Sequence, residues 1–225
     1  MSTMMATAQV LAFLGTAAMV LAACVGALVF AMLGRRFWAR RAAILGVAAA
    51  TAYALALVGF GLVSPSVVLP QGARKAFCEI DCHVVYEITG GGHRGDTIMV
   101  TVRELFDPES IASRRGNAPL HPGSRQFALI DETGTRWRPV NVRSTGTAPL
   151  FAQLRPGQSH QAMLSFALPG GVGIRGLLVE DDGPLSRLLI GHERSPFHEK
   201  TLLALPSDLM RARGALSLSG RVRPE

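Results

Sequence analysis

Charge is missing from the first 34 residues of this chain, and lysine is scarce throughout, with 2 against 21 arginines. Aromatic residues make up only 6% of the chain, and there are 3 cysteines. Each shortage excludes something. A segment that long without charge is not a solvated surface element. Few aromatics, together with basic and acidic residues mixed along the chain, argue against a nucleic-acid surface. The predominance of arginine over lysine fits a GC-rich genome better than a binding site.

What stands in place of the missing charge is a pair of apolar runs, residues 10–33 and 42–64, within a hairpin at residues 1–64. A bilayer core of about 30 Å needs about 20 helical residues, so each run is long enough to span. Only helices satisfy their own backbone in lipid, which excludes paired strands here. Between the runs lies residues 34–41, a short loop with Arg35, Arg36, Arg40 and Arg41. Short arginine-rich loops stay on the cytoplasmic side. The expected topology is therefore two transmembrane α-helices with both ends outside, a multi-pass protein of the bacterial inner membrane. Phe37 and Trp38 suit the interfacial aromatic belt. A cleaved signal peptide is disfavoured, because Met1–Gln9 has no basic residue and the run is too long. Leu21-Ala22-Ala23-Cys24 resembles a lipoprotein cleavage box, but the chain stays apolar after Cys24, so a thiol buried in the membrane is the expectation. Ala18, Ala22 and Gly26, four apart, suit close helix packing.

Removing the loop's four arginines from the 23 basic residues leaves 19 against 16 acidic, so the net charge of +7 mostly reports topology. The remaining exported part, roughly 150 residues, can build one core unaided. Residues 65–75 are expected to be a linker, marked by Ser64-Pro65 and Leu69-Pro70-Gln71-Gly72. Beyond it the apolar period changes to two. Strands are expected at Cys82–Ile88, Asp96–Phe106 (with a phase break at Leu105), Gln126–Ile130, Thr135–Val140, Ser159–Leu168, Gly173–Val179, Leu185–Ile190 and Lys200–Leu205. Turns are expected at Gly90–Gly92 and Asp131–Gly134. Short strands at this spacing argue for an all-β sandwich over residues 76–206. Residues 207–225 are expected to be a polar tail with a short helix near Asp208–Arg213.

Phe77-Cys78-Glu79-Ile80-Asp81-Cys82, Leu129-Ile130-Asp131-Glu132-Thr133-Gly134 with Trp137 and Pro139, Leu154-Arg155-Pro156-Gly157-Gln158, Leu164-Ser165-Phe166-Ala167-Leu168-Pro169 and Leu189-Ile190-Gly191-His192-Glu193 together resemble a bacterial extracytoplasmic immunoglobulin-like family. That family is labelled by its similarity to immunoprotective extracellular antigens. The resemblance covers Ala76 to Pro206 and implies an immunoglobulin-like sandwich with no catalytic residues.

Cys78 and Cys82 would lie in an oxidising compartment and can form a disulfide. Extended, their Cα atoms would be about 13 Å apart, beyond the bridging limit of about 7 Å, so the segment must turn. The rival reading is copper. A two-helix hairpin before an exported sandwich resembles the cytochrome oxidase subunit with a two-copper centre, whose run is Cys-x3-Cys-x3-His-x2-Met. Cys78 and Cys82 match, but Tyr86 and Thr89 stand where histidine and methionine are needed. A metal-handling or redox protein would have to use Cys78, Cys82 and His83. His192-Glu193 and His198-Glu199 lack zinc-helix spacing, and Glu180-Asp181-Asp182-Gly183 reads as a solvated turn. No nucleophile constellation is present.

The expected function is non-catalytic and cofactor-free: binding or scaffolding of an envelope or membrane-protein partner by a domain anchored in the lipid bilayer, without nucleic acid. An accessory subunit of a membrane complex is the further alternative. The loop Asp107–Arg125, with Arg114, Arg115 and Arg125, is the expected partner-binding surface.

Overall fold

A computed structural model of the chain describes residues 3–77, 84–110, 116–146, 148–181, 183–207 and 209. Two compact units emerge: Met1–Pro65 with Gly183–Glu199, and Ser66–Asp182 with Lys200–Glu225.

The first unit contains α1 (Thr3–Met32) and α2 (Arg36–Leu62). Only Leu33, Gly34 and Arg35 join them, so Arg36, Arg40 and Arg41 lie on the first turns of α2 rather than in an open loop. Gly34 makes the reversal possible at φ +71°, a conformation that costs glycine nothing. The half-buried positions of α1, at Phe13, Thr16, Val20, Ala23, Ala27 and Phe30, alternate steps of three and four. On α2 the sequence Ala39, Ala42, Gly46, Ala49, Tyr53 and Ala56 does the same. That spacing is the seam of two antiparallel helices. A Cβ on Gly46 would lie 3.0 Å from the Ala23 Cβ, and one on Gly26 would lie 3.9 Å from the Ala42 Cβ. Gly26 thus serves the seam as expected, while Ala18 and Ala22 face outward. Both helices are long and apolar enough to cross a membrane, at Ala8–Met32 and Arg36–Leu62.

The second unit is a sandwich of two five-stranded sheets. The strands are β1 (Val67–Leu69), β2 (Lys75–Phe77), β3 (Val84–Arg94), β4 (Thr97–Phe106), β5 (Arg125–Asp131), β6 (Arg136–Trp137), β7 (Asn141–Ser144), β8 (Ser159–Ala167), β9 (Ile174–Asp181) and β10 (Thr201–Leu203). One sheet runs β1-β10-β9-β5-β6 and the other β2-β3-β4-β8-β7. All pairings are antiparallel except β1 with β10, where Val67 meets Thr201 and Leu69 meets Leu203. Strict alternation in β4 and β8 turns Ile98, Val100, Val102, Ala162, Leu164 and Phe166 inward against Leu129, Leu177, Val179 and Leu203.

Several expectations need correction. Residues 65–75 are not only a linker, since they hold β1 and the first residue of β2, and Leu69 packs on the core. Gly90–Gly92 is not a turn but the far half of β3, paired with Thr101, Val100 and Met99 after a bulge at Ile88/Gly90. A Cβ on Gly91 would come within 2.5 Å of Leu209 Cδ1 and 2.6 Å of the Met99 carbonyl, so glycine there answers close packing. Leu209 is 3% exposed, which removes it from the expected solvated tail. The reversal falls instead at Gly95, φ +57°. Thr135–Val140 is broken at Pro139, which has no N–H to donate; the chain leaves β6 and joins the opposite sheet as β7. Leu185–Ile190 is not a strand. Pro184–Leu188 forms a 3-10 helix within the first unit.

Candidate functional site

Period-two alternation lines up a row of polar side chains inside the sandwich. In register across the second sheet stand Lys75 on β2, Tyr86 on β3, Glu104 on β4 and His160 on β8. All four are buried, with Tyr86 and Glu104 fully so. The Tyr86 hydroxyl donates a short hydrogen bond to Glu104 Oε1. The Phe151 backbone N–H donates to Glu104 Oε2 at 2.9 Å. Phe151 holds φ +67°, a left-handed conformation that a bulky residue keeps only when its surroundings impose it. His160 Nδ1 lies 3.7 Å from the same Oε2 and has no hydrogen-bond partner among the described residues. At the other end Lys75 Nζ reaches across the core and donates to the Val179 and Thr201 carbonyls at 2.8 and 2.9 Å. The row therefore fastens β4 to the loop at Phe151 and one sheet to the other. With Glu104 closed from solvent, it is a structural clamp rather than a surface for a substrate.

The sequence expectation of a phase break at Leu105 hides this row, because it turns Leu105 inward in place of Glu104. β4 has no phase break: Glu104 keeps the inward position and Leu105 is only half-buried. The signal that could have found it is strict period-two continuation from Ile98 through Phe106, which demands that Glu104 be buried and satisfied.

The expected partner-binding loop fares differently. Arg125 is a correction. It is the first residue of β5, 6% exposed, with its guanidinium 2.7 Å from Asp181 Oδ1 and stacked 4.8 Å from the Phe77 ring. Desolvation of a guanidinium is tolerable with a carboxylate partner and an aromatic face, and these hold it inside the sandwich edge instead of in a loop. Arg114 and Arg115 lie outside the described residues, as do Cys78, Cys82 and His83. The acidic stretch is not a solvated turn either. Glu180 and Asp181 belong to β9, and Glu180 is 9% exposed between Arg136 at 2.9 Å and Lys200 at 3.4 Å.

Asp131 carries the Asp-Glu-Thr-Gly hairpin as expected. It accepts from the Thr133 hydroxyl at 2.6 Å, the Thr133 and Thr135 N–H groups at 2.9 and 2.8 Å, and the Trp137 indole at 3.0 Å. The Thr133 hydroxyl, with the Trp137 and backbone donors behind it, lowers its pKa to about 2 against the opposing effect of burial.

The first unit presents a different surface. Large apolar side chains stand exposed along both helices, Leu21 at 66% and Leu55 at 69% among them. At the helix-helix turn Arg41 lies over the rings of Phe37 and Trp38, 4.2 and 5.8 Å from their centroids. Cys24 is exposed on α1 and lines an apolar groove of about 440 Å³ with Phe13, Val20 and Tyr53. Segment 183–199 packs on the same helices. The Tyr53 hydroxyl donates to the Leu188 carbonyl at 2.6 Å, and the Ser64 hydroxyl accepts from the Glu199 N–H at 2.7 Å. Among the described residues no group of three or more His, Cys, Asp or Glu is placed to hold a metal ion.

The fold and these surfaces define a class: an apolar two-helix hairpin followed by a two-sheet β-sandwich. No family model matches the sequence, and no curated protein matches it. Among solved structures, MPT63, a secreted protein from Mycobacterium tuberculosis, aligns at 12% identity and a TM-score of 0.36, over 63% of this chain and 98% of that one. The sandwich stands on this chain's own strand pairing.

Proposed function

We propose that this chain is a multi-pass protein of the bacterial inner membrane. Its sandwich, of immunoglobulin-like type, lies outside the cytoplasm and binds or scaffolds an envelope or membrane-protein partner without catalysis. One observation carries the reading: two adjacent helices display large apolar side chains outward, and four arginines cluster at the turn between them. Apolar surface of that extent exceeds the few hundred Å² that a soluble monomer leaves in contact with water. Lipid covers it at no cost, and the arginines favour a cytoplasmic turn. Cys78 and Cys82 then stand in an oxidising space and form a disulfide. No cofactor and no nucleic acid is required.

Reporter fusions test the topology. Alkaline phosphatase joined after Ala73 is expected to be active, and β-galactosidase at the same point inactive. The reverse pattern would overturn the reading. Thiol labelling of the denatured protein with and without reductant checks the disulfide, with two more reactive thiols expected after reduction.

A further inference from the structure

Between β9 and β10 the chain leaves the sandwich and returns, and residues 183–199 descend along the side of the helical hairpin. Contacts with α1 and α2 give the depth of that descent. Glu199 meets Ser64 just beyond the end of α2. Pro196 O occupies the space that a Cβ on Gly61 would take. Gly191, at φ +73°, approaches Gln9, with Gln9 Nε2 3.2 Å from where its Cβ would be. Leu188 O accepts from Tyr53, nine positions before Leu62, the last residue of α2. At 1.5 Å per helical residue, that is a descent of about 14 Å, roughly half of a 30 Å hydrocarbon core.

Irregular backbone survives at such depth only when its polar groups are satisfied within the protein. This segment meets part of that demand with a succession of tight turns. Leu189 N–H donates to Ser186 O at 3.5 Å, His192 to Leu189 at 3.1 Å, Ser195 to His192 at 2.9 Å and His198 to Ser195 at 3.2 Å. Two buried hydroxyls turn back on the chain as well, Ser186 to Gly183 O at 2.5 Å and Ser195 to His192 O at 2.7 Å. Outward, the segment shows Leu185 at 59%, Leu188 at 44% and Phe197 at 68% exposure. These side chains continue the apolar surface of the helices. Arg187 is the exposed charge beside Leu188, and its long stem can carry the guanidinium toward headgroup phosphates; Glu193 and Arg194 are half-buried, and exposed Glu199 lies beside Ser64 at the shallow end of the segment.

We infer that residues 183–199 are a re-entrant segment, inserted beside α2 among the acyl chains of the leaflet opposite the arginine turn, with Leu185 and Leu188 in contact with lipid. The inference rests on the membrane reading of the two helices. The test uses the full chain reconstituted in phosphatidylcholine vesicles with or without bromine at mid-chain. Single variants L188W, L185W, L55W and V142W are compared with the parent chain, so that Trp38 and Trp137 cancel. L55W reports α2 itself, and V142W reports an exposed edge strand of the sandwich. The expected result is loss of most of the added fluorescence in brominated lipid for L188W and L55W alike, with none for V142W. L185W replaces L188W if the latter does not reconstitute. Quenching of L55W without quenching at 188 or 185 would overturn the insertion alone. An unquenched L55W would overturn the membrane reading and the insertion with it.

Discussion

Two carboxylates show how much a single side chain decides here. Glu104 is buried because the Tyr86 hydroxyl and the Phe151 N–H reach it. Replacing it with alanine leaves both donors without a partner, each costing about 1–3 kcal/mol. Glu104→Ala is therefore expected to destabilise the protein by about 2–6 kcal/mol, and Glu104→Gln by less, because an acceptor remains. Urea unfolding of the full chain in detergent, followed by Trp137 fluorescence in a Trp38→Phe background, measures both. Asp131 makes a pH prediction. Its pKa is lowered from 3.8 to about 2 in the folded protein, so folding favours the ionised form. The stability it contributes is complete above the unfolded value and is lost as pH falls from about 4 toward 2. Asp131→Asn is expected to lower the melting temperature at neutral pH and to narrow its gap from the parent through that acid window. A gap that stays constant from pH 6 to pH 2 would contradict the assignment. The two residues were not equally legible in the sequence. Asp131 was, since Asp-Glu-Thr-Gly is a local turn pattern. Glu104 was not, because what permits its burial comes from strands and a loop distant in sequence.

At the scale of elements, the chain was readable wherever one period governed a whole segment. The apolar runs gave the helices, and alternation gave β4, β5, β8 and β9 to within a few residues. Reading failed where a long-range neighbour chose the conformation. Gly90–Gly92 has the composition of a turn, yet it is strand because it pairs with Met99–Thr101, and glycine at 91 leaves room for Leu209 and the Met99 carbonyl. Leu185–Ile190 has the apolar content of a strand, yet it coils because the first unit supplies its hydrogen-bond partners and contacts. Arg125, read as loop, is drawn into β5 by Asp181. Gly176 tests the first sheet. A Cβ there would lie 2.7 Å from the Leu203 carbonyl and 3.0 Å from Leu202 Cβ. Gly176→Ala must push β10 from β9, and a loss of about 1–3 kcal/mol is expected in the same unfolding assay.

For the whole molecule, the proposed orientation in a membrane is the property most exposed to test. Arg35, Arg36, Arg40 and Arg41 are the only charges between Met1 and Ala73. Changing all four to glutamine, with two lysines added after Met1, is expected to yield mixed or inverted reporter activity after Ala73. Unchanged phosphatase activity would mean that something other than these arginines sets the topology. The two-part plan was legible because the change from apolar runs to period two is abrupt. The division into units was not, since residues 183–199 join the helices from a point far along the chain.

The parallel pairing of β1 with β10 sets a clock on assembly. β1 is the first described strand to follow the helices, and among the described residues its neighbour in the sheet is β10, which begins at Thr201. Val67–Leu69 must therefore wait, unpaired, while nearly the whole sandwich is synthesised. Segment 183–199 also arrives only after both helices are complete. β10 closes the sheet that β1 began, so a chain halted before Thr201 lacks the strand that pairs with β1 and with Leu177 and Leu178 among the described residues. Protease resistance at Val67–Leu69 is therefore expected only in chains that extend past Leu203.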